Sequence, residues 1–167
     1  MFRIGLLSDT HGFYDPHIAD HFSLCDEIWH AGDIGELDVV NRLEEIAPLV
    51  AVYGNIDGTP IRARFPQHQR LTREGLDIWM THIGGYPGHY ASAVKTSLLN
   101  DPPGLFISGH SHILKIMPDK KHGFLHMNPG AAGRSGLHRV RTLIRFEIET
   151  GKIDNVDVIE IGLRASA

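Results

Sequence analysis

A chain of 167 residues with 42% hydrophobic content and a formal net charge of −4 is long enough to bury a substantial core, and one globular domain over 1–167 is expected. The acid excess argues against a general nucleic-acid or membrane-binding face, although a bound cation can still make a local positive site. Cys25 is the only cysteine, which excludes an intrachain disulfide or thiolate cluster and makes a reducing cytoplasm the expected setting.

The N-terminal run "FRIGLLS" is too short to span a membrane, lacks the pattern of a secretory leader and reads as a first strand. Four further apolar runs follow: "EIWHA", "LVAVY", "LDIWMT" and "LFIS". Each has the length and the β-branched or aromatic content of a buried strand, and each stops at a polar or glycine cluster. Between them, Pro16 to Cys25 is a helix candidate. Leu37, Val40, Leu43 and Ala47 recur near helical spacing until Pro48 stops the helix, and Tyr90 to Asn100 is a third candidate. Strand and helix alternate in this half, as in an α/β sheet with parallel strands.

Later segments change character. Alternating residues around "ETGK" predict an antiparallel hairpin from Thr142 onward, with further hairpins around Glu74 and Gly75 and around Asp119 to His122. The expected architecture is two mixed β-sheets face to face with helices outside, an α-β-β-α arrangement.

Ligands of open α/β sheets bind beyond the carboxyl ends of the strands. The unusual residues collect there: Asp9 and His11 in "SDTHG", Asp33 in "AGDIG", Asn55 and Asp57 in "YGNID", His82, and His110 and His112 in "GHSH". Singly, each has an ordinary explanation as a turn, a helix cap or a solvated histidine. Two pairs are spaced by two, so in extended chain both members of each pair point to one side. The donors are carboxylate, imidazole and amide oxygen without sulfur, a set suited to Mn²⁺, Fe²⁺ or Zn²⁺. Seven donors exceed the need of one ion; two ions about 3.5–4 Å apart with a shared carboxylate would use them, an arrangement that clamps in-line displacement at phosphorus.

The succession "DTH", "GD", "GN", "H" and "GHSH", with "NPGAAG" from Asn128 to Gly133, resembles the calcineurin-like metallophosphoesterase superfamily and its compact bacterial phosphodiesterase branch. The resemblance covers roughly the first 135 residues and implies a four-layer sandwich. It further implies that Asp9, His11 and His112 hold one divalent ion, that Asn55, His82 and His110 hold a second, and that Asp33 bridges them. A bridging hydroxide would then attack the phosphorus of a small-molecule phosphodiester. Mn²⁺ is the first choice of metal, with Fe²⁺, Zn²⁺, Ni²⁺ or Co²⁺ compatible.

In this reading Asn55 is both ligand and catalytic contact to a phosphoryl oxygen, and His89 in "GGYPGHY" faces substrate or is an exposed loop residue. His30 and Asp57 either orient ligands or serve the turns. Arg134 and Arg139 either attract phosphate or are surface charges, and His126 and His138 carry no assigned role. Many larger family members have a histidine after the motif asparagine, to assist leaving-group protonation; here that residue is Ile56. The same branch contains the retromer scaffold subunit, so a non-catalytic interaction module is the alternative, beside a phosphomonoesterase or nucleotide hydrolase. No membrane or general nucleic-acid partner is expected, and self-association is left open.

Overall fold

Ile4 and Leu6 alternate with Gly5 and Leu7 along β1 (Phe2–Leu7), and the two sets face different layers. The computed structural model, which describes residues 1–165, follows β1 with α1 (His17–Phe22), β2 (Glu27–His30), α2 (Leu37–Glu44), β3 (Leu49–Ala51) and α3 (Thr59–Arg62). Next come β4 (His68–Arg73), β5 (Leu76–Thr81), the short β6 (Gly85–Tyr86) and β7 (His89–Tyr90), α4 (Ser92–Asn100), β8 (Leu105–Ile107), β9 (Lys115–Asp119), β10 (Phe124–Asn128), β11 (Val140–Glu149) and β12 (Lys152–Leu163). Two five-stranded mixed sheets result, in the orders β12-β11-β1-β2-β3 and β4-β5-β8-β10-β9. Strands β1, β2 and β3 are parallel with β3 at the edge and antiparallel β11 and β12 beyond β1, while parallel β5, β8 and β10 are flanked by antiparallel β4 and β9.

The sheets pack on each other through Ile4, Leu6, Trp29 and Phe146 from one side and Ile78, Met80, Ile107 and Met127 from the other. Outside the first sheet, Ile18, Phe22, Val40, Leu43 and Ile61 from α1 to α3 cover Leu7 and Ile28. Glycine at position 5 is required there, because a Cβ would enter the ring of Phe22. Outside the second sheet, Val94 and Leu98 of α4 cover Trp79, Phe106 and Phe124. The layer order is therefore α-β-β-α, as expected. Among the described residues no helix is long and apolar enough to cross a membrane.

Several boundaries differ from the sequence reading. The first helix is only His17–Phe22, and the second ends at Glu44, four residues before Pro48. Leu37 opens α2 and is 37% exposed, whereas Val39 joins the expected Val40, Leu43 and Ala47 in the core, so the buried stripe gains Val39 in place of Leu37. Helix α4 starts at Ser92 because Tyr90 pairs with Gly85, and Tyr86 with His89, in a ladder that replaces the loop read at "GGYPGHY". Helix α3, one turn with Pro60 in it, left no periodic signal to read.

All five apolar runs end on one edge of the double sheet. Parallel strands bring their carboxyl ends together, and the two sheets are stacked with those ends facing the same way.

Phe146 is fully buried against Trp29, the ring centroids 5.8 Å apart at 73°. Phe146→Ala should cost about 3–5 kcal/mol of stability. Equilibrium urea unfolding checks this, and a loss below about 1 kcal/mol would contradict a close-packed inter-sheet core.

Candidate metal centre

Each strand end in this group hands its chain to a tight turn. Asp9, His11, Asp33, His110 and His112 all adopt positive φ, between 46° and 70°. Left-handed backbone is uncommon for non-glycine residues and costs about 1–3 kcal/mol where it is strained. The spacing of two in each pair therefore does not work through extended chain, as the sequence suggested. It works through left-handed turns, and it separates the partners of the second pair: His112 joins Asp9 and His11, while His110 joins Asp33 and His82. Within each triad the ligating atoms lie within 4.8 Å of one another.

The two triads adjoin. Asp33 Oδ2 lies 3.1 Å from His82 Nε2 and 3.4 Å from His11 Nε2, so its carboxylate touches a residue of each group. Asp9 Oδ1 lies 3.1, 3.6 and 3.8 Å from Nε2 of His112, His11 and His82. Asp9 Oδ1, His11 Nε2 and His82 Nε2 are nevertheless buried with no hydrogen-bond partner. Three lone pairs or donors left unmatched in one small volume are costly in isolation and fit a shared cation. The hard oxygen and borderline nitrogen donors suit a divalent transition metal.

Three of these residues, Asp9, Asp33 and His82, have their outward-facing atoms engaged, which fixes their inward ones. Asp9 Oδ2 accepts from Ser8 Oγ at 2.6 Å and from the His110 N–H at 3.1 Å. His82 Nδ1 donates to the Ala31 carbonyl at 2.8 Å, which leaves the Nε2 lone pair facing Asp33. Asp33 Oδ1 accepts the N–H of Ile56 at 3.1 Å. Burial pushes the Asp9 carboxyl up, but His11, His112, His82 and Ser8 together outweigh it and hold it well below the usual carboxylate range. Asp33 is also lowered, burial being overcome by His82 beside it and by the Ile56 N–H. His11 is raised chiefly by Asp9; His82 is raised by Asp33 and Asp9 in spite of burial. Both carboxylates thus stay anionic.

Asn55 stands exposed in the turn after β3 and lines one cleft with His82. Its neighbours on both sides meet Asp33: the Ile56 N–H binds the carboxylate, and a Cβ on Gly54 would collide with it. Asp57 serves the turns rather than any histidine. Its carboxylate takes the N–H groups of Gly54 at 2.8 Å, Gly35 at 2.8 Å and Ile34 at 3.2 Å, tying the "GNID" turn to the "GDIG" turn. His30 touches no ligand side chain. Its Nδ1 accepts from the Gly32 N–H, its Nε2 donates to Thr10 Oγ1 at 2.9 Å, and that hydroxyl donates to the Ile34 carbonyl. Complete burial pushes this imidazole down to about 4, consistent with the single proton that the relay uses.

His89 lies across from Tyr86 in the β6–β7 ladder, beside a cavity that His110 also lines. Arg134 stacks on Phe13, its guanidinium carbon 4.1 Å from the ring centroid, and Arg139 is exposed. Two residues at the site escaped the sequence reading. Ser8 shows no signal beyond preceding a motif aspartate, yet its hydroxyl fixes Asp9. His138, 26 residues beyond His112, places its ring 5.1 Å from the His112 ring and engages the Gly133 carbonyl through Nε2 at 2.8 Å.

A model of the calcineurin-like phosphoesterase superfamily domain matches residues 2–151. A probable metallophosphoesterase of Methanocaldococcus jannaschii is 32% identical over 136 residues, covering 77% of this chain and 67% of the relative, so the matched region spans about two thirds of that protein. Among solved structures, an archaeal phosphodiesterase superposes with a TM-score of 0.72 at 22% identity, covering 95% of this chain and all of the other. Vps29 of Entamoeba histolytica, solved with Zn²⁺, superposes with a TM-score of 0.73 at 15% identity over 96% of this chain and 99% of its own. At such identities the structural likeness is one of fold.

Asp57→Asn preserves size but turns an amide toward backbone donors that need an acceptor. If the two turns set the ligand geometry, this change should weaken Mn²⁺ binding by about 10–100-fold with the fold retained. Calorimetric titration of metal alongside far-UV circular dichroism checks it; unaltered affinity would show that the turns are held without Asp57.

Proposed function

The chain belongs to the calcineurin-like phosphoesterase superfamily, and on that footing we propose that it is a metal-dependent phosphodiesterase. The observation that carries the reading is the convergence of Asp9 Oδ1, His11 Nε2 and His82 Nε2, buried and unpartnered, on one volume flanked by Asp33, His110 and His112. Asp9, His11 and His112 would hold one divalent ion and His82, His110 and Asn55 a second, with Asp33 reaching both. Bound there, such ions acidify water and neutralise phosphoryl charge. Mn²⁺ is the proposed metal, on the donor chemistry alone.

The chain's own residues then do three things. Asp9 and Asp33 stay ionised and set the charge of the site. Ser8, Ala31 and the Ile56 N–H fix which atoms face inward. Asn55, exposed at the edge of the cleft, offers its amide to a phosphoryl oxygen. None of these groups supplies a proton to the leaving oxygen, and the side chain next to Asn55 is Ile56, 46% exposed and without acid function. A diester whose leaving group departs unaided, such as an aryl ester, is therefore the favoured substrate.

Hydrolysis of bis(p-nitrophenyl) phosphate should appear with added Mn²⁺ and vanish with chelator. Loss of an outer partner of a metal ligand costs about 10–100-fold, so Asp33→Ala should exceed about a hundredfold. Metal binding without turnover across Mn²⁺, Fe²⁺, Zn²⁺, Ni²⁺ and Co²⁺ would sink the enzyme reading in favour of an interaction module.

Ile56→His restores an acid at this position. It should raise the rate with alkyl-leaving esters toward the roughly 10²-fold that a positioned acid contributes, and flatten the dependence of log kcat/KM on leaving-group pKa. An unchanged slope would separate leaving-group departure from position 56.

A further inference from the structure

Two concavities flank the ligands of the proposed second ion, and Ile83, 46% exposed, lines both. The one on the His110 side, of about 300 Å³, has an apolar rim, with Tyr86 38% and Ile113 61% exposed. The one on the His82 side, of about 460 Å³, is polar along one wall: Asn55, Arg62, Gln67 and His68 all stand exposed in it. Among the described residues no carboxylate lines this second cleft, and Arg62 is its one permanently charged side chain. A phosphodiester has two ester arms, and clefts of opposite character suit arms of opposite character.

Arg62 ends the single turn of α3, and its guanidinium folds back over the turn that carries Asn55. Nε donates to the Asp57 carbonyl at 2.5 Å, Nη2 reaches the Gly54 carbonyl at 3.5 Å, and Cζ lies 4.5 Å from the Tyr53 ring centroid. Gly54 connects this group to the metal centre: its carbonyl meets the guanidinium, a Cβ on it would strike the Asp33 carboxylate, and Asn55 follows it in the chain. Seven arginines elsewhere are neutralised by carboxylates, whereas among the described residues Arg62 forms no ion pair, with Asp33 or any other acid. Its Nη1 donates to no described residue. The ring and the two carbonyls restrict the side chain in advance, so holding an anion costs it less rotamer freedom. A guanidinium that is held still, uncompensated and open to solvent is a receptor for an oxyanion. Its nitrogens stay outside ion-pair distance of Asp33, which sets it beside the metal centre rather than on it.

We propose that the His82-side cleft binds a substrate ester arm carrying a second oxyanion, a phosphate or carboxylate, and that Arg62 is the residue that recognises it. The reading rests on the phosphodiesterase activity proposed above and names its substrate class. Arg62 is a specificity-determining residue in this scheme and takes no part in the displacement at phosphorus. Asn55 and His82, which line the cleft and are proposed ligands of the second ion, join the arm to the phosphoryl group that reacts.

The test compares three esters with one leaving group: propyl p-nitrophenyl phosphate and its 3-phosphooxypropyl and 3-carboxypropyl counterparts. With Mn²⁺ the wild-type protein should favour an anionic ester over the propyl ester by about tenfold in kcat/KM, mostly through KM, as one charge-assisted pair implies. The better of the two anionic esters identifies the group. In Arg62→Gln that ratio should fall to near one, while Arg62→Lys, a charge without the planar fork, should keep part of it. Damage to the Asn55 turn alone would slow all three esters together and leave the ratio unchanged. Independently of turnover, the Nε–H resonance of Arg62 in ¹⁵N-labelled, Zn²⁺-loaded protein should move with propane-1,3-diyl bisphosphate. Absence of preference in the wild type, preference that survives Arg62→Gln, or a stationary Nε–H resonance would each overturn the proposal. Turnover of bis(p-nitrophenyl) phosphate, which has no second oxyanion, reports the phosphodiesterase reading by itself. Its presence beside any of those results would leave that reading standing and remove only this one.

Discussion

Asp9 and Asp33 are buried carboxylates, 0% and 2% exposed, whose inner oxygens face a single volume. Anions taken out of water must be compensated, and two of them side by side repel as well. The chain compensates partly with its own groups. Hydroxyl and backbone N–H donors take the outer oxygens, and imidazole rings surround the inner ones. The remainder is left for a cation. Much of the surrounding structure serves to hold these two carboxylates in place while denying them any other partner.

That requirement explains the backbone around them. Five of the seven proposed ligands sit in left-handed turns, conformations that ordinary side chains avoid. A strand ending in such a turn reverses sharply and points its next side chain back over the sheet edge. The turns in turn are bound to one another: Asp57 joins two of them, the His30–Thr10 relay joins the first to the second, and the N–H groups of Ala132 and Gly133 donate to the carbonyls of Ser8 and Asp9. Local strain is tolerated because every loop is tied to a neighbour on a rigid strand. The packed inter-sheet core supplies that rigidity, with β1 and β2 aligned in one sheet and β5 and β8 in the other.

The cavity beside the site follows a different logic. The candidate ligands are held by tight turns and hydrogen bonds, whereas the adjoining cavity exposes apolar side chains. The first kind of arrangement suits a fixed centre, and the second suits a surface that a ligand covers. Ile56 belongs to the boundary between them. Its backbone N–H supports the Asp33 carboxylate, while its side chain carries no acid.

The linear sequence determined the strand pattern and the layered architecture and marked the seven candidate positions, because buried parallel strands read as short apolar runs and the chemistry-bearing residues stand directly after them; the fold gathers Asp9, His11 and His112 and Asp33, His82 and His110 into two groups. It also marked Ile56 as a departure from the family pattern. Tertiary structure alone decided how those residues meet. The pairs spaced by two converge through left-handed turns rather than extended chain, a property of φ that no residue pattern encodes for aspartate or histidine. Helix α3 and the β6–β7 ladder were too short to carry periodicity. Ser8 looked ordinary in the chain, and became significant only through its hydrogen bond to Asp9. Whether a polar atom is matched depends on neighbours brought from distant segments, and that is settled only when the sheets have packed.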